Sequence, residues 1–171
     1  MKNINSAILI FILILCSCKR EIKQGTDYLR WIGDIEQNDE IDKSEFTVCN
    51  GNDNILQYFN FRKGAVYNGE KSRIINFFNS KYKPVTGKNQ DGFIRIRFIV
   101  NCQGIAGRYR ILQSDENYQP QEFDEKITSQ LIEITREIEN WEVLEREDFP
   151  IDYYMYLVFK IDDGAITEIL P

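Results

Sequence analysis

Residues 93–101 read Phe93-Ile94-Arg95-Ile96-Arg97-Phe98-Ile99-Val100-Asn101. Ile94, Ile96, Phe98 and Val100 recur at every second position, the period of a strand with one buried face, which sends Arg95 and Arg97 to the other. Cys102-Gln103-Gly104 then turns the chain into a second strand over 105–112, so the two form a hairpin. The same alternation returns at Ile151, Tyr153, Met155, Leu157, Phe159 and Ile161. Asp163-Gly164 is a tight-turn signal leading into a short last strand over 165–170.

Helical spacing fills the gaps between these strands. Ile74, Ile75, Phe77, Phe78 and Tyr82 make an apolar stripe over 70–82 that stops before Pro84. Asp124 is placed to cap a helix over 125–140, in which Phe123, Ile127, Leu131, Ile134, Ile138 and Trp141 step along one face at intervals of three and four. The order is helix, strand, strand, helix, strand, strand. Two amphipathic helices must bury their stripes on one face of an antiparallel sheet, which predicts an α+β domain in two layers, with three to four strands.

The N-terminal part has a different character. Lys2 precedes an unbroken apolar run from Ala7 to Leu15. Nine residues are too few to span a bilayer, which takes about 20, but they suit the core of a signal peptide. Leu15-Cys16-Ser17-Cys18 follows and resembles a bacterial lipoprotein box, with Cys18 as the acylated residue and 1–17 as the cleaved signal. An ordinary secretory signal or an uncleaved anchor is the alternative. Residues 18–45 are polar and acidic and read as a tether, with a helical turn around Tyr28–Ile32. Residues 46–67 read as an irregular extension of one or two poorly patterned strands, and 68–171 as the folded domain.

Composition narrows the chemistry. There is no histidine among 171 residues, which removes histidine bases, Ser-His and Cys-His nucleophiles and imidazole metal sites. The formal charge of −6 becomes −7 once Lys2 leaves with the signal, and so speaks against nucleic acid as a partner. Cys49 and Cys102 remain after export, in a compartment where disulfides persist, and are expected to be bonded; two buried thiols are the alternative. No Cys-x-x-Cys spacing, glycine-rich phosphate loop or catalytic constellation is present, so no catalytic residue, metal or cofactor is assigned. The reading is a non-enzyme.

The helix ending at Tyr82-Lys83-Pro84, the hairpin beginning at Gly92-Phe93, Gly104, the helix from Phe123 to Trp141 and the strand from Pro150 to Ile161 together resemble the TonB C-terminal domain family. That resemblance covers about 68–171. It implies a periplasmic module that grips an extended segment of an outer-membrane transporter, or of another envelope protein, by adding it as a strand to the sheet edge. The gripping strand would lie around 150–161, with outward Tyr154, Tyr156 and Lys160 beside the guest and Tyr82 and Pro84 near the contact. Tyr82 and Pro84 serving only to end the first helix is the alternative. Energy-transducing members keep an uncleaved anchor and a long proline-rich span; here the apolar segment is short and followed by a lipoprotein-like box, no proline-rich stretch is present, and Trp141 is followed by Glu142-Val143 rather than the usual proline-alanine. A structural lipoprotein that self-associates into a homodimer through its edges, and an energy transducer with an uncleaved anchor, are the other readings.

The residues alone add one more expectation. Arg95, Arg97, Arg108 and Arg110, with Tyr154 and Tyr156, should gather on the sheet face away from the helices. Such a basic, aromatic face could hold an acidic peptide or a phosphate-bearing headgroup, or could simply be solvated.

Overall fold

The computed structural model describes residues 33–57 and 70–170, which belong to one compact unit spanning Trp31–Pro171. The expectations for the signal peptide 1–17, the lipidated Cys18, the turn near Trp31 and residues 58–69 lie outside the described residues.

After a 3-10 turn at Asn52–Asn54 come β1 (Leu56–Gln57), α1 (Glu70–Lys81), β2 (Gly92–Val100), β3 (Ala106–Ser114) and α2 (Glu125–Arg136). A small hairpin of β4 (Glu145–Arg146) and β5 (Phe149–Pro150) leads into β6 (Tyr153–Asp162) and β7 (Ala165–Leu170). The described residues form an α+β unit, with two helices on a mostly antiparallel five-stranded sheet. β2 runs between β3 and β6, and the far side of β6 is shared by β1, parallel, and β7, antiparallel.

The periodicities explain the main elements. Ile94, Ile96, Phe98 and Val100 of β2 and Tyr153, Met155, Leu157, Phe159 and Ile161 of β6 form one face. They are buried with Ile74 and Phe78 of α1 and with Ile127, Leu131 and Ile134 of α2. Asp124 does cap α2, its carboxylate accepting from the Lys126 N–H at 2.8 Å. The helix ends at Arg136 rather than 140: Glu137 and Ile138 donate to carbonyls three residues back, and Asn140 reverses the chain at φ 64°. Ile138 and Trp141 continue the buried stripe from outside the helix. Asp163 and Gly164 take positive φ, as a two-residue hairpin turn requires.

Two expectations are corrected. The far edge of the strand over 151–161, part of which is expected to stay open to a guest, is mostly closed: β1 pairs with Tyr153 and Tyr154 while β7 pairs from Val158 to Asp162. Only Met155, Tyr156 and Leu157 lie between these partners. The second correction concerns the layers. Residues 33–46, which span the end of the expected tether and the first residue of the expected irregular extension, lie on the sheet face opposite the helices, where Ile35 and Phe46 are buried with Ile99 and Tyr154. The unit therefore has three layers: helices, sheet and an N-terminal strap.

Candidate functional site

The strap is held almost entirely by side chains of the sheet. Among the described residues, 33–46 makes no backbone-to-backbone hydrogen bond to the sheet; its own such bonds are local turns at Asn38–Asp42 and Lys43–Phe46. Three arginines reach its carbonyls instead. Arg97 donates to Gly33 O at 2.7 Å, Arg108 to Ile35 O at 3.3 Å and Arg110 to Glu36 O at 2.6 Å. The same arginines read strap side chains: Arg108 donates to Gln37 Oε1 at 2.7 Å, and Arg110 forks onto both carboxylate oxygens of Asp42 at 2.7 Å. Two parallel bonds of this kind are the strong form of an Arg–carboxylate pair. They hold the Asp42 carboxyl below its usual range, against the opposing effect of burial.

Tyr154 completes the set. Its hydroxyl donates to Asp34 at 3.2 Å and its ring lies 5.7 Å from the Arg97 guanidinium. Burial is the main reason its hydroxyl titrates above the ordinary value. Desolvation is also the main reason the Arg97 pKa is lowered, against the pull of Tyr154 and Asp34. The face expected to gather arginines and tyrosines does gather them. It is not open, however: Arg97, Arg108 and Tyr154 are all buried beneath the strap. Arg95, also buried, lies apart from the strap contacts, donating to Ser114 Oγ at 3.0 Å with its guanidinium over Phe93 and Tyr118.

A covalent staple closes the strap's C-terminal end. Cys49 and Cys102 are disulfide-bonded, as expected. Beside the bond lies Asp152, fully buried, whose carboxylate accepts from the backbone N–H groups of Cys49 (3.0 Å), Asn50 (2.8 Å) and Cys102 (3.0 Å), and from Asn50 Nδ2 (3.2 Å). The Cys49 and Cys102 sulfurs and an Asp152 oxygen lie within 4.8 Å of one another, a ligand-like cluster among the described residues. Because metals bind thiolates, the bonded sulfurs make this a structural junction. Sequence reading missed Asp152 because its alternation placed it simply as an outward strand residue.

The remaining expected site residues are scattered. Tyr82 is buried, and its hydroxyl donates to Gly164 O in the β6–β7 turn at 2.7 Å; burial pushes its pKa up to about 12. Pro84 is exposed beyond the helix end. Tyr156, half-buried, lies across from Arg97, and Lys160 across from Glu168 of β7. No geometry brings Tyr82, Pro84, Tyr156 and Lys160 into one site.

The sheet's outer strands are β3 on one side and, beyond β6, β1 and β7 on the other. At β3 both ends are engaged: Arg136 packs over Tyr109 at 5.6 Å, and Ser114 bridges to Pro120. At β7 no further strand pairs among the described residues, and a groove separates β7 from α1, lined by Lys71, Ile75 and Asn79 on one side and Ile166, Thr167 and Ile169 on the other. No described helix is long and apolar enough to cross a membrane.

Comparison of the chain with protein-family models, with curated proteins and with solved structures finds no match.

Proposed function

We propose that this protein is a lipid-anchored binding module of the bacterial cell envelope, TonB-like in its mode of action, that captures an extended segment of an outer-membrane transporter or other envelope protein by strand addition. The observation that carries this reading is the groove between β7 and α1. An edge strand whose backbone groups lack a strand partner among the described residues, beside a helix presenting Ile75, is the arrangement in which backbone bonding gives affinity and side-chain pockets give selectivity. The capturing edge is thus β7, one strand out from the stretch that the resemblance implied. The absence of a catalytic constellation in the sequence favours binding over an enzymatic role. Acylation of Cys18 would hold the module at a membrane, and its acidic charge gives nucleic acid no electrostatic footing.

The test is a photo-crosslinking residue at Thr167, exposed on β7, in intact cells. A defined adduct with an envelope protein, weakened about ten-fold by Ile75→Ser, is expected, since that substitution removes apolar surface from the groove. Adducts that do not respond to Ile75→Ser, or none at all, would reject the reading. Intact mass of the membrane-extracted protein checks the anchor: loss of residues 1–17 with added acyl mass is expected, and an unprocessed N-terminus would favour an uncleaved anchor.

A further inference from the structure

We propose that the face formed by Arg97, Arg108, Arg110 and Tyr154 is a second peptide-binding surface, on which the chain's own residues 33–46 stand in for an acidic extended segment of a partner protein. Three observations carry this inference. The first is how the strap is recognised. Segments integral to a sheet are held by backbone ladders, whereas this one is held by single guanidinium bonds to three of its carbonyls, by the Arg110 fork on Asp42 and by side-chain contacts to Asp34 and Gln37, the way a protein reads a peptide ligand. The second is charge. Residues 33–46 carry Asp34, Glu36, Asp39, Glu40, Asp42 and Glu45 against Lys43 alone, and they cover a face built of arginines.

The third is separability. A crevice remains between Ile41–Phe46 of the strap and Ala106–Tyr109 of β3, so the strap is not close-packed along its length. The junction at Cys49, Cys102 and Asp152 fixes the chain just after the strap and gives it a pivot about which to peel. The strap also defines the ligand chemistry: a carboxylate followed directly by a branched aliphatic residue, as in Asp34-Ile35, an amide two residues later at Gln37, and a second carboxylate within reach of Arg110. A partner in trans must outcompete a strap whose tethering gives it a high effective concentration. Occupancy by a partner therefore requires either a tighter sequence or simultaneous engagement elsewhere on the module.

The probe is a synthetic peptide copying residues 33–46, added to the full chain carrying Ile35→Ser, which removes a buried strap contact while leaving every arginine in place. Hydrogen exchange reports strap release over 33–46 and folding over β2 and β6. The peptide should bind this variant and bind wild type at least ten-fold more weakly. A peptide with each acid replaced by its amide, or the added substitution Arg110→Gln, should cost a further ten-fold or so. Should Ile35→Ser disturb β2 or β6, Asp42→Asn serves in its place. A released strap with no peptide binding overturns the proposal, and so does a strap that stays protected in both variants. Ile75→Ser should leave peptide binding unchanged, so failure here and failure of the β7 groove are read separately.

Discussion

The ring of Phe46 lies against Gly107 so closely that a Cβ on Gly107 would come within 2.2 Å of a ring carbon. This contact seats the strap on β3. Gly107→Ala must therefore push Phe46 out or shift the strand, and overpacking of this kind typically costs about 1–3 kcal/mol. Urea unfolding of the variant should show the loss. Combined with Phe46→Ala, the glycine substitution should add almost nothing, because the ring it collides with is gone. Full additivity would mean that the contact is not what Gly107 serves.

Asp152 should be the most sensitive polar residue of the protein. Its removal leaves the backbone N–H groups of Cys49, Asn50 and Cys102 without their acceptor. Asp152 is fully buried and the bonds it accepts are part-buried; a hydrogen bond to a charged group contributes about 1.5–3 kcal/mol, so Asp152→Ala should destabilise by roughly 3 kcal/mol or more. Asp152→Asn keeps one oxygen acceptor and should cost less. The denaturation midpoints of the two variants order the effects, and equal midpoints would contradict this account.

How far the sequence foretold all this depends on whether a residue's role is local. Alternation in Ile94–Val100 and in Tyr153–Ile161 reports burial directly, so the strands, both helices, the Asp163-Gly164 turn and the antiparallel core were legible. The disulfide was legible from the cysteine count together with the expectation of export. The strap was not. Ile35 and Phe46 stand eleven residues apart in an acidic stretch with no period, and nothing local announces that they are anchors. The alternation placed Arg97 and Arg110 on the second face correctly, yet period alone cannot say what covers a face. The two-residue β1, which closes part of the β6 edge, is too short to leave a pattern.

Reducing the Cys49–Cys102 bond should loosen the strap before the core. The bond spans 53 residues, for which the chain-entropy model gives a contribution on the order of 4 kcal/mol. α1 and β2 lie inside that loop, but β2 is held to β6 by its own antiparallel ladder from Gly92 to Val100, which does not need the bond. Under a dithiol reductant, amide exchange over 33–57 should accelerate while β2 and β6 stay protected. Simultaneous loss of protection everywhere would show that strap and core form one cooperative unit.

Tyr82 should matter for stability and not for capture of a partner. Its hydroxyl is spent on Gly164 O, so Tyr82→Phe should cost about 1 kcal/mol and leave crosslinking at Thr167 unchanged. The raised pKa, about 12, gives the sign at high pH: the stabilisation is complete below the ordinary value of 10 and is lost as pH rises toward 12. Alkaline unfolding of wild type should accordingly have a component that Tyr82→Phe lacks.

Acid should act on the strap through Asp42. The Arg110 fork is the largest cause of its lowered pKa, followed by the opposing effect of burial; the Asn38 N–H and the charges of Arg110 and Arg108 also favour the carboxylate. A lowered carboxylate pKa stabilises fully above the free value of 3.8, and that stabilisation disappears as pH falls through the lower value in the folded state. Strap protection, corrected for intrinsic exchange, should thus be level between about pH 5 and 7 and should fall only below about pH 4. Asp42→Asn replaces the carboxylate by an amide that cannot titrate and bonds a guanidinium less strongly. Its strap should be less protected at neutral pH and should lack the acid step. If the variant shows the same acid step as wild type, the group that releases the strap is not Asp42, and the Arg110 fork is not what holds it.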